Sequence, residues 1–227
     1  MAEYDIKNNV KIAKTFKNIL ELDSEPVAVK FVLKESDIPE NIPKISDKAR
    51  HCEMVKKASH GETFYATKDE QMCKGGSAAL GLEDMPPKVA SGEKYVSLGR
   101  FKDIKSAKAT IDALPKMDVR NYGILYAPLE TATYAPDVVV MFAKPVQAMK
   151  VSQAIIYDVS DRFKADFAGI QSLCADAVSE PAMTGNANIT LGCSGSRKFA
   201  KVLDDEVAVG LSAENVLEVS EALEALN

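Results

Sequence analysis

Apolar and polar positions along the chain follow two periods, which together predict a mixed protein of the α/β or α+β class. Near the N-terminus, apolar side chains recur every three or four residues, as is typical of an amphipathic helix. We expect this helix within residues 1–22. Its predicted buried stripe consists of Ile6, Val10, Ala13, Phe16 and Leu20.

Six short runs predict β-strands. Two of them, EPVAVKFVL and PDVVVMFAKP, are largely apolar runs that follow a proline, which is typical of buried strands. The other four, ETFYATK, KYVSLGRF, NANITLG and DEVAVGLS, are short and rich in β-branched or aromatic residues. In chain order, the six runs begin at Glu25, Glu62, Lys94, Pro136, Asn186 and Asp205.

Helical spacing returns in three later segments. DIKSAKATIDALPK, from Asp103, and AENVLEVSEALEAL, from Ala213, each carry apolar residues three or four positions apart. Ser212 is a favourable N-cap for the second of these helices, and Glu214 lies in its first turn. VQAMKVSQAIIYD, from Val146, predicts a helix with no counterpart earlier in the chain.

Four cysteines recur at matching places among these elements. Cys52 opens CEMVKKASHG and Cys174 opens CADAVSEPAMTG, and both segments predict a short helix. Cys73 opens CKGGSAALGL and Cys193 opens CSGSRKFAKVL, and both predict a turn followed by a helix. Each of these turns follows a predicted strand. The repeated order predicts an internal duplication.

The duplication divides the chain into two similar halves after the N-terminal helix. The first repeat covers residues 23–119 and the second covers residues 120–227, and we expect them to form one compact unit. Duplicated halves commonly pack about a pseudo-two-fold axis, and equivalent residues near such an axis converge. Two cysteines from each half would then supply four thiols in one place.

The cysteine-first turns have a chemistry of their own. A cysteine just before a helix faces unpaired N–H groups and the positive end of the helix dipole, and both favour the thiolate. Glycines after the cysteine let the backbone approach a bulky group and can adopt a positive φ. Neighbouring cations would also favour the thiolate. The predicted cofactor-binding residues are Gly75, Gly76, Gly195, Lys74 and Arg197.

We therefore expect Cys52, Cys73, Cys174 and Cys193 to ligate one metal centre. Four thiolates can hold a 4Fe-4S cluster or close a tetrahedral zinc site. The closely spaced pairs typical of zinc knuckles and ferredoxins are absent from the sequence, and a glycine-lined pocket favours the larger cluster. The alternatives are zinc, another metallocofactor, or no metal, with the cysteines as buried small side chains.

Two histidines accompany the cysteines. His51 adjoins Cys52 and is expected to be a partly exposed imidazole. A role as a hydrogen-bond donor behind the metal ligands is the alternative. His60 lies at a predicted helix end, where a histidine is favourable because of the helix dipole. We find no motif for a hydrolytic triad, and the catalytic residues, if any, are unknown.

Composition limits the possible partners. The 227 residues carry a net charge of −5 without a basic stripe, which argues against nucleic-acid binding. The sequence contains no apolar stretch long enough for a bilayer, and its start has no signal-like apolar core, so we expect a cytoplasmic protein with reduced cysteines.

Three function classes fit these features. The first is an iron–sulfur protein that transfers electrons to a redox partner protein or acts as an accessory redox subunit. The second is an enzyme that uses the cluster or a reactive cysteine on a small anionic ligand. The third is a binding module that is stabilised by zinc or contains no metal.

The cysteine motifs also resemble a known family. CEMV, CKGGSAALGL, CADAV and NITLGCSGSR, in this order, are similar to the DUF169 family over the chain from about Asp23 to the C-terminus. The family motif has counterparts here at Cys52, Cys73, Gly75, Cys174, Cys193 and Gly195. The family is found largely in archaea and anaerobic bacteria, which implies an anaerobic setting that would suit an oxygen-sensitive cluster. The resemblance implies no particular activity.

Overall fold

The computed structural model describes residues 4–227 and contains a six-stranded antiparallel sheet. The strands are β1 (Val27–Val32), β2 (Phe64–Thr67), β3 (Gly123–Pro128), β4 (Val138–Ala143), β5 (Asn188–Thr190) and β6 (Val207–Ser212). Their order across the sheet is β2-β3-β1-β4-β6-β5. The mixed α/β class predicted from the sequence is confirmed.

Within residues 4–227, ten α-helices and one π-helix pack around this sheet. The α-helices are α1 (Asn9–Leu20), α2 (His51–Ala58), α3 (Lys74–Ala79), α4 (Pro87–Ala90), α5 (Glu93–Ser97), α6 (Ile104–Ala113), α7 (Pro145–Ile155), α8 (Glu180–Thr184), α9 (Ser194–Phe199) and α10 (Ala213–Leu226). The π-helix Ser172–Ser179 precedes α8. Short 3-10 turns cover Ile6–Asn8, Glu35–Asp37 and Leu129–Thr131.

The two faces of the sheet carry separate hydrophobic cores. One core joins residues of α2, α3, α6 and the π-helix to one face of the sheet. The other joins α1, α7 and α10 to the opposite face. All strand positions of β3, β4 and β6 are buried, because both faces of the central sheet are covered. The cysteine-bearing helices α2 and the π-helix share the first face.

Most predicted elements are present, with two differences among the strands. KYVSLGRF, predicted as a strand, instead forms α5 and an exposed turn, and α5 contains no buried residue. A strand needs a hydrogen-bonding neighbour, and this segment packs with α4 and α6 rather than at a sheet edge. The sequence analysis also did not predict β3, which pairs with both β1 and β2.

The buried stripe of the first helix differs from the prediction. Ile6 and Val10 are 40% and 44% exposed. Ala13, Phe16 and Leu20 are buried as predicted, and Ile12 completes the stripe. The helix begins at Asn9, so Ile6 lies in a separate 3-10 turn and cannot continue the same helical face.

The described part of the chain, residues 4–227, contains no helix with the length and apolarity needed to cross a bilayer.

Candidate metal centre

The four cysteines come from four different elements. Cys52 is the second residue of α2, and Cys174 lies in the π-helix. Cys73 and Cys193 are the residues immediately before α3 and α9, as the sequence predicts. All four are free thiols. Cys174 is buried, whereas the other three are partly exposed.

The thiols of Cys73 and Cys174 flank a single glycine. A Cβ atom placed on Gly76 would lie 3.2 Å from the Cys174 Sγ and 3.5 Å from the Cys73 Sγ. The two sulfurs are therefore separated by no more than the sum of these distances. The absence of a side chain at residue 76 leaves space beside both sulfurs.

Electrostatic coupling connects these two thiols to the other two. Burial raises the pKa of Cys174 well above its ordinary value, and thiolate charge at Cys73, Cys193 and Cys52 raises it further. Burial likewise raises the pKa of Cys52 to about 12, with contributions from Cys193 and Cys73. Such effects of one charge on another act between groups that lie near each other. The four thiols thus form one group, which we call the cysteine cluster.

Cys193 differs from its neighbours. Burial again acts to raise the pKa of this thiol, but the nearby polar groups of Ser196 and Ser172 outweigh burial and lower it. The backbone N–H of Ser196 lies 3.5 Å from the Cys193 Sγ at the start of α9. Cys193 is therefore the thiol for which these local contacts most favour the anion. This is the chemistry expected for a cysteine in front of a helix.

The predicted glycines lie next to the cysteine cluster, where the absence of a side chain leaves room for the neighbouring atoms. The Cβ position of Gly195 lies 3.5 Å from the Cys193 Sγ, and that of Gly75 lies 3.4 Å from the Gln171 amide nitrogen. Gly75, Gly76 and Gly195 are not among the glycines with positive φ. The expectation that they supply a left-handed conformation is therefore wrong, because they lie in the first turns of regular helices.

The two predicted cations already have partners. The Lys74 Nζ lies 3.1 Å from the Glu83 Oε1. The Arg197 guanidinium donates hydrogen bonds to the carbonyl oxygens of Leu191 and Glu206, at 2.6 and 2.9 Å. Arg197 thereby holds the chain on both sides of α9. A direct role for either cation at a cofactor stays a prediction.

His51 is buried rather than partly exposed, so the expectation of a surface imidazole is wrong. Its Nδ1 lies 2.8 Å from the Tyr126 hydroxyl oxygen, and the two rings pack with centroids 5.6 Å apart. Burial lowers the pKa of His51 to about 3, and the Leu173 backbone offsets only part of this effect. The imidazole is neutral and anchors the first turn of α2, and thus Cys52, to strand β3.

Three polar residues near the cysteine cluster were not found by the sequence analysis. Gln171 and Ser172, at the start of the π-helix, are buried, and the Gln171 Nε2 lies 3.1 Å from the Tyr95 hydroxyl of α5. Thiolate charge at Cys174, Cys73 and Cys193 acts on Tyr95. No signal in the sequence joins these residues, because Tyr95 lies 76 positions before Gln171.

Comparisons with known proteins agree with the resemblance seen in the cysteine motifs. The model of the DUF169 family, described as "Uncharacterised ArCR", matches residues 15–222. A relative in Methanocaldococcus jannaschii, "Uncharacterized protein MJ0308", is 41% identical over 222 residues, covering 97% of this chain and 95% of the relative. No solved structure matches the chain significantly. The chain therefore belongs to the DUF169 family.

Proposed function

We propose that the chain binds one 4Fe-4S cluster through Cys52, Cys73, Cys174 and Cys193, and that it serves electron transfer directly or as an accessory redox subunit. The observation that carries this proposal is the convergence of four thiols from four separate elements, two of which flank a glycine that leaves space. Four thiolates are the ligand set of such a cluster.

The arrangement of the thiols favours a cluster over a single zinc ion. Zinc–sulfur bonds are about 2.3 Å long, so the ligand sulfurs around one zinc lie ~3.8 Å apart. Within residues 4–227, no three His, Cys, Asp or Glu side chains are grouped to hold one metal ion. In a 4Fe-4S cluster each thiolate binds a different iron, which spreads the sulfurs more widely. The separation allowed between the Cys73 and Cys174 sulfurs, which flank Gly76, is compatible with this wider spacing.

The surroundings of the cysteine cluster fit an electron carrier. Cys174 is the buried ligand, while Cys52, Cys73 and Cys193 are partly exposed. A bound cluster would accept and release one electron with little rearrangement of its atoms. The three partly exposed ligands would bring the cluster near a partner protein. The chain's own contribution is to hold the ligands, since α2, α3 and the π-helix are packed into one core.

We also infer that the chain arose by internal duplication, with halves related by a pseudo-two-fold axis. The strand order β2-β3-β1-β4-β6-β5 supports this, because β1, β3 and β2 occupy the same places in one half as β4, β6 and β5 in the other. The central pair, β1 and β4, is antiparallel, as a two-fold axis requires. This equivalence assigns β3 to the first half and puts the boundary after Pro128.

Anaerobic reconstitution tests the proposal. Chain treated with iron and sulfide should become brown and hold about four irons and four sulfides. Each Cys→Ser variant should bind less iron and lose the stabilisation that the cluster gives, because binding energy adds to folding energy. Ser152→Ala, on α7 across the sheet, is the control and should bind normally. Stoichiometric zinc without iron, or full iron content in all four Cys→Ser variants, would overturn the proposal.

A further inference from the structure

A group of three polar residues, Tyr95, Gln171 and Ser172, lies beside the cysteine cluster on the side of α5. The Tyr95 hydroxyl accepts a hydrogen bond from the Gln171 Nε2 at 3.1 Å. The backbone carbonyl oxygen of Gln171 lies 3.1 Å from the Cys174 Sγ, and the Gln171 side chain lies against Gly75. Ser172 follows directly in the chain and lies two positions before Cys174 in the π-helix. Gln171 and Ser172 thus lie beside the proposed ligand Cys174, and Gln171 links Tyr95 to the same place.

The group has hydrogen-bonding capacity that the protein itself does not use. Tyr95 accepts a hydrogen bond from Gln171, and within residues 4–227 its own O–H group donates none to the protein. The Ser172 hydroxyl is fully buried and has no partner of good hydrogen-bonding geometry in this part of the chain. A buried hydroxyl without a partner is costly and rare in folded proteins. Two hydroxyl donors are therefore available at the cysteine cluster.

The backbone at Gln171 is held in an unfavourable conformation. Its φ of 50° and ψ of 32° lie in the left-handed region, which favours glycine. This conformation begins the π-helix and directs the Gln171 carbonyl to Cys174. Backbone strain of this kind persists where the surrounding structure enforces it, and it is frequent at functional sites. A rare π-helix carrying a proposed ligand is consistent with the same interpretation.

We infer that Tyr95 and Ser172 are positioning residues that donate hydrogen bonds to sulfur atoms at the site and thereby raise the reduction potential of the cluster. Gln171 orients the Tyr95 hydroxyl for this role. Reduction adds negative charge to the cluster, and donors near its sulfurs stabilise that added charge. This inference rests on the proposed function.

The experiment compares midpoint potentials in anaerobically reconstituted protein. Tyr95→Phe and Ser172→Ala each remove one hydroxyl and little else. Both variants should keep the iron content of the wild type and show a more negative midpoint potential in a titration followed by electron paramagnetic resonance. The iron–sulfur stretching frequencies in resonance Raman spectra should change as well, which a purely structural role would not cause. Tyr157→Phe, at a largely exposed tyrosine, is the matched control and should match the wild type.

The outcomes separate this inference from the proposed function. A wild-type chain that takes up no iron would refute the proposed function, and this inference with it. A wild-type cluster whose potential is unchanged in both Tyr95→Phe and Ser172→Ala would refute this inference alone. Equal shifts in Tyr157→Phe would show that the effect is not specific to the site, and would also refute it.

Discussion

Replacing Gly76 by alanine should separate the stability of the fold from the function of the site. Gly76 lies in α3, where alanine is favoured over glycine by about 0.5–1 kcal/mol. The added methyl would lie 3.2 Å from the Cys174 Sγ and 3.5 Å from the Cys73 Sγ. These contacts are close, but both involve side chains that can shift by a few tenths of an ångström. The metal-free Gly76→Ala protein should therefore be as stable as the wild type to within about 1 kcal/mol.

Cluster binding should respond in the opposite way. The methyl group would occupy the space beside two proposed ligands, and a displaced thiolate could no longer bind its iron at the required distance. We expect Gly76→Ala to retain less than about a tenth of the wild-type iron after reconstitution, equivalent to a loss of more than about 1.4 kcal/mol in binding under subsaturating iron.

Two measurements check this prediction. Urea unfolding of the metal-free protein gives its stability, and iron and sulfide analysis gives its loading. Ala109→Gly, at an exposed position of α6, is the control with the reverse substitution: it should lower stability by about 1 kcal/mol and leave iron content unchanged. Full iron content in Gly76→Ala, or a metal-free protein destabilised by several kcal/mol, would refute the reasoning.

Two further predictions concern the supports of the cysteine cluster. A Cβ on Gly210 would lie 2.0 Å from the Ala177 carbonyl oxygen, so Gly210→Ala should push the π-helix away from the sheet. This substitution should lower the free energy of unfolding, measured in urea, by more than about 3 kcal/mol. The control Ala208→Gly in the same strand should lower it by about 1 kcal/mol. Unchanged stability in Gly210→Ala would contradict the close packing described here. Tyr126→Phe should cost about 1–3 kcal/mol in the same assay, because the buried His51 Nδ1 loses its partner at 2.8 Å, and a neutral result would mean that this hydrogen bond contributes little.

The sequence by itself determined the features that depend on neighbouring residues. Largely apolar runs identified β1 and β4, because strands that are mostly covered on both faces need apolar side chains at most positions. Cys73 and Cys193 were recognised as residues in front of helices, since the following glycines and small residues mark a turn into a helix. The placement of the proposed metal ligands relative to their own elements was therefore predictable.

The tertiary structure alone decided which of these elements meet. The local sequence of KYVSLGRF is typical of a strand, but within residues 4–227 no strand of the sheet pairs with this segment, and its first residues lie in α5. This change brings Tyr95 to the cysteine cluster, a position that no local pattern indicates. His51 is buried only because β3 supplies Tyr126 as its partner. Strand pairing and side-chain burial join residues far apart in the chain, and local periodicity carries no information about such contacts.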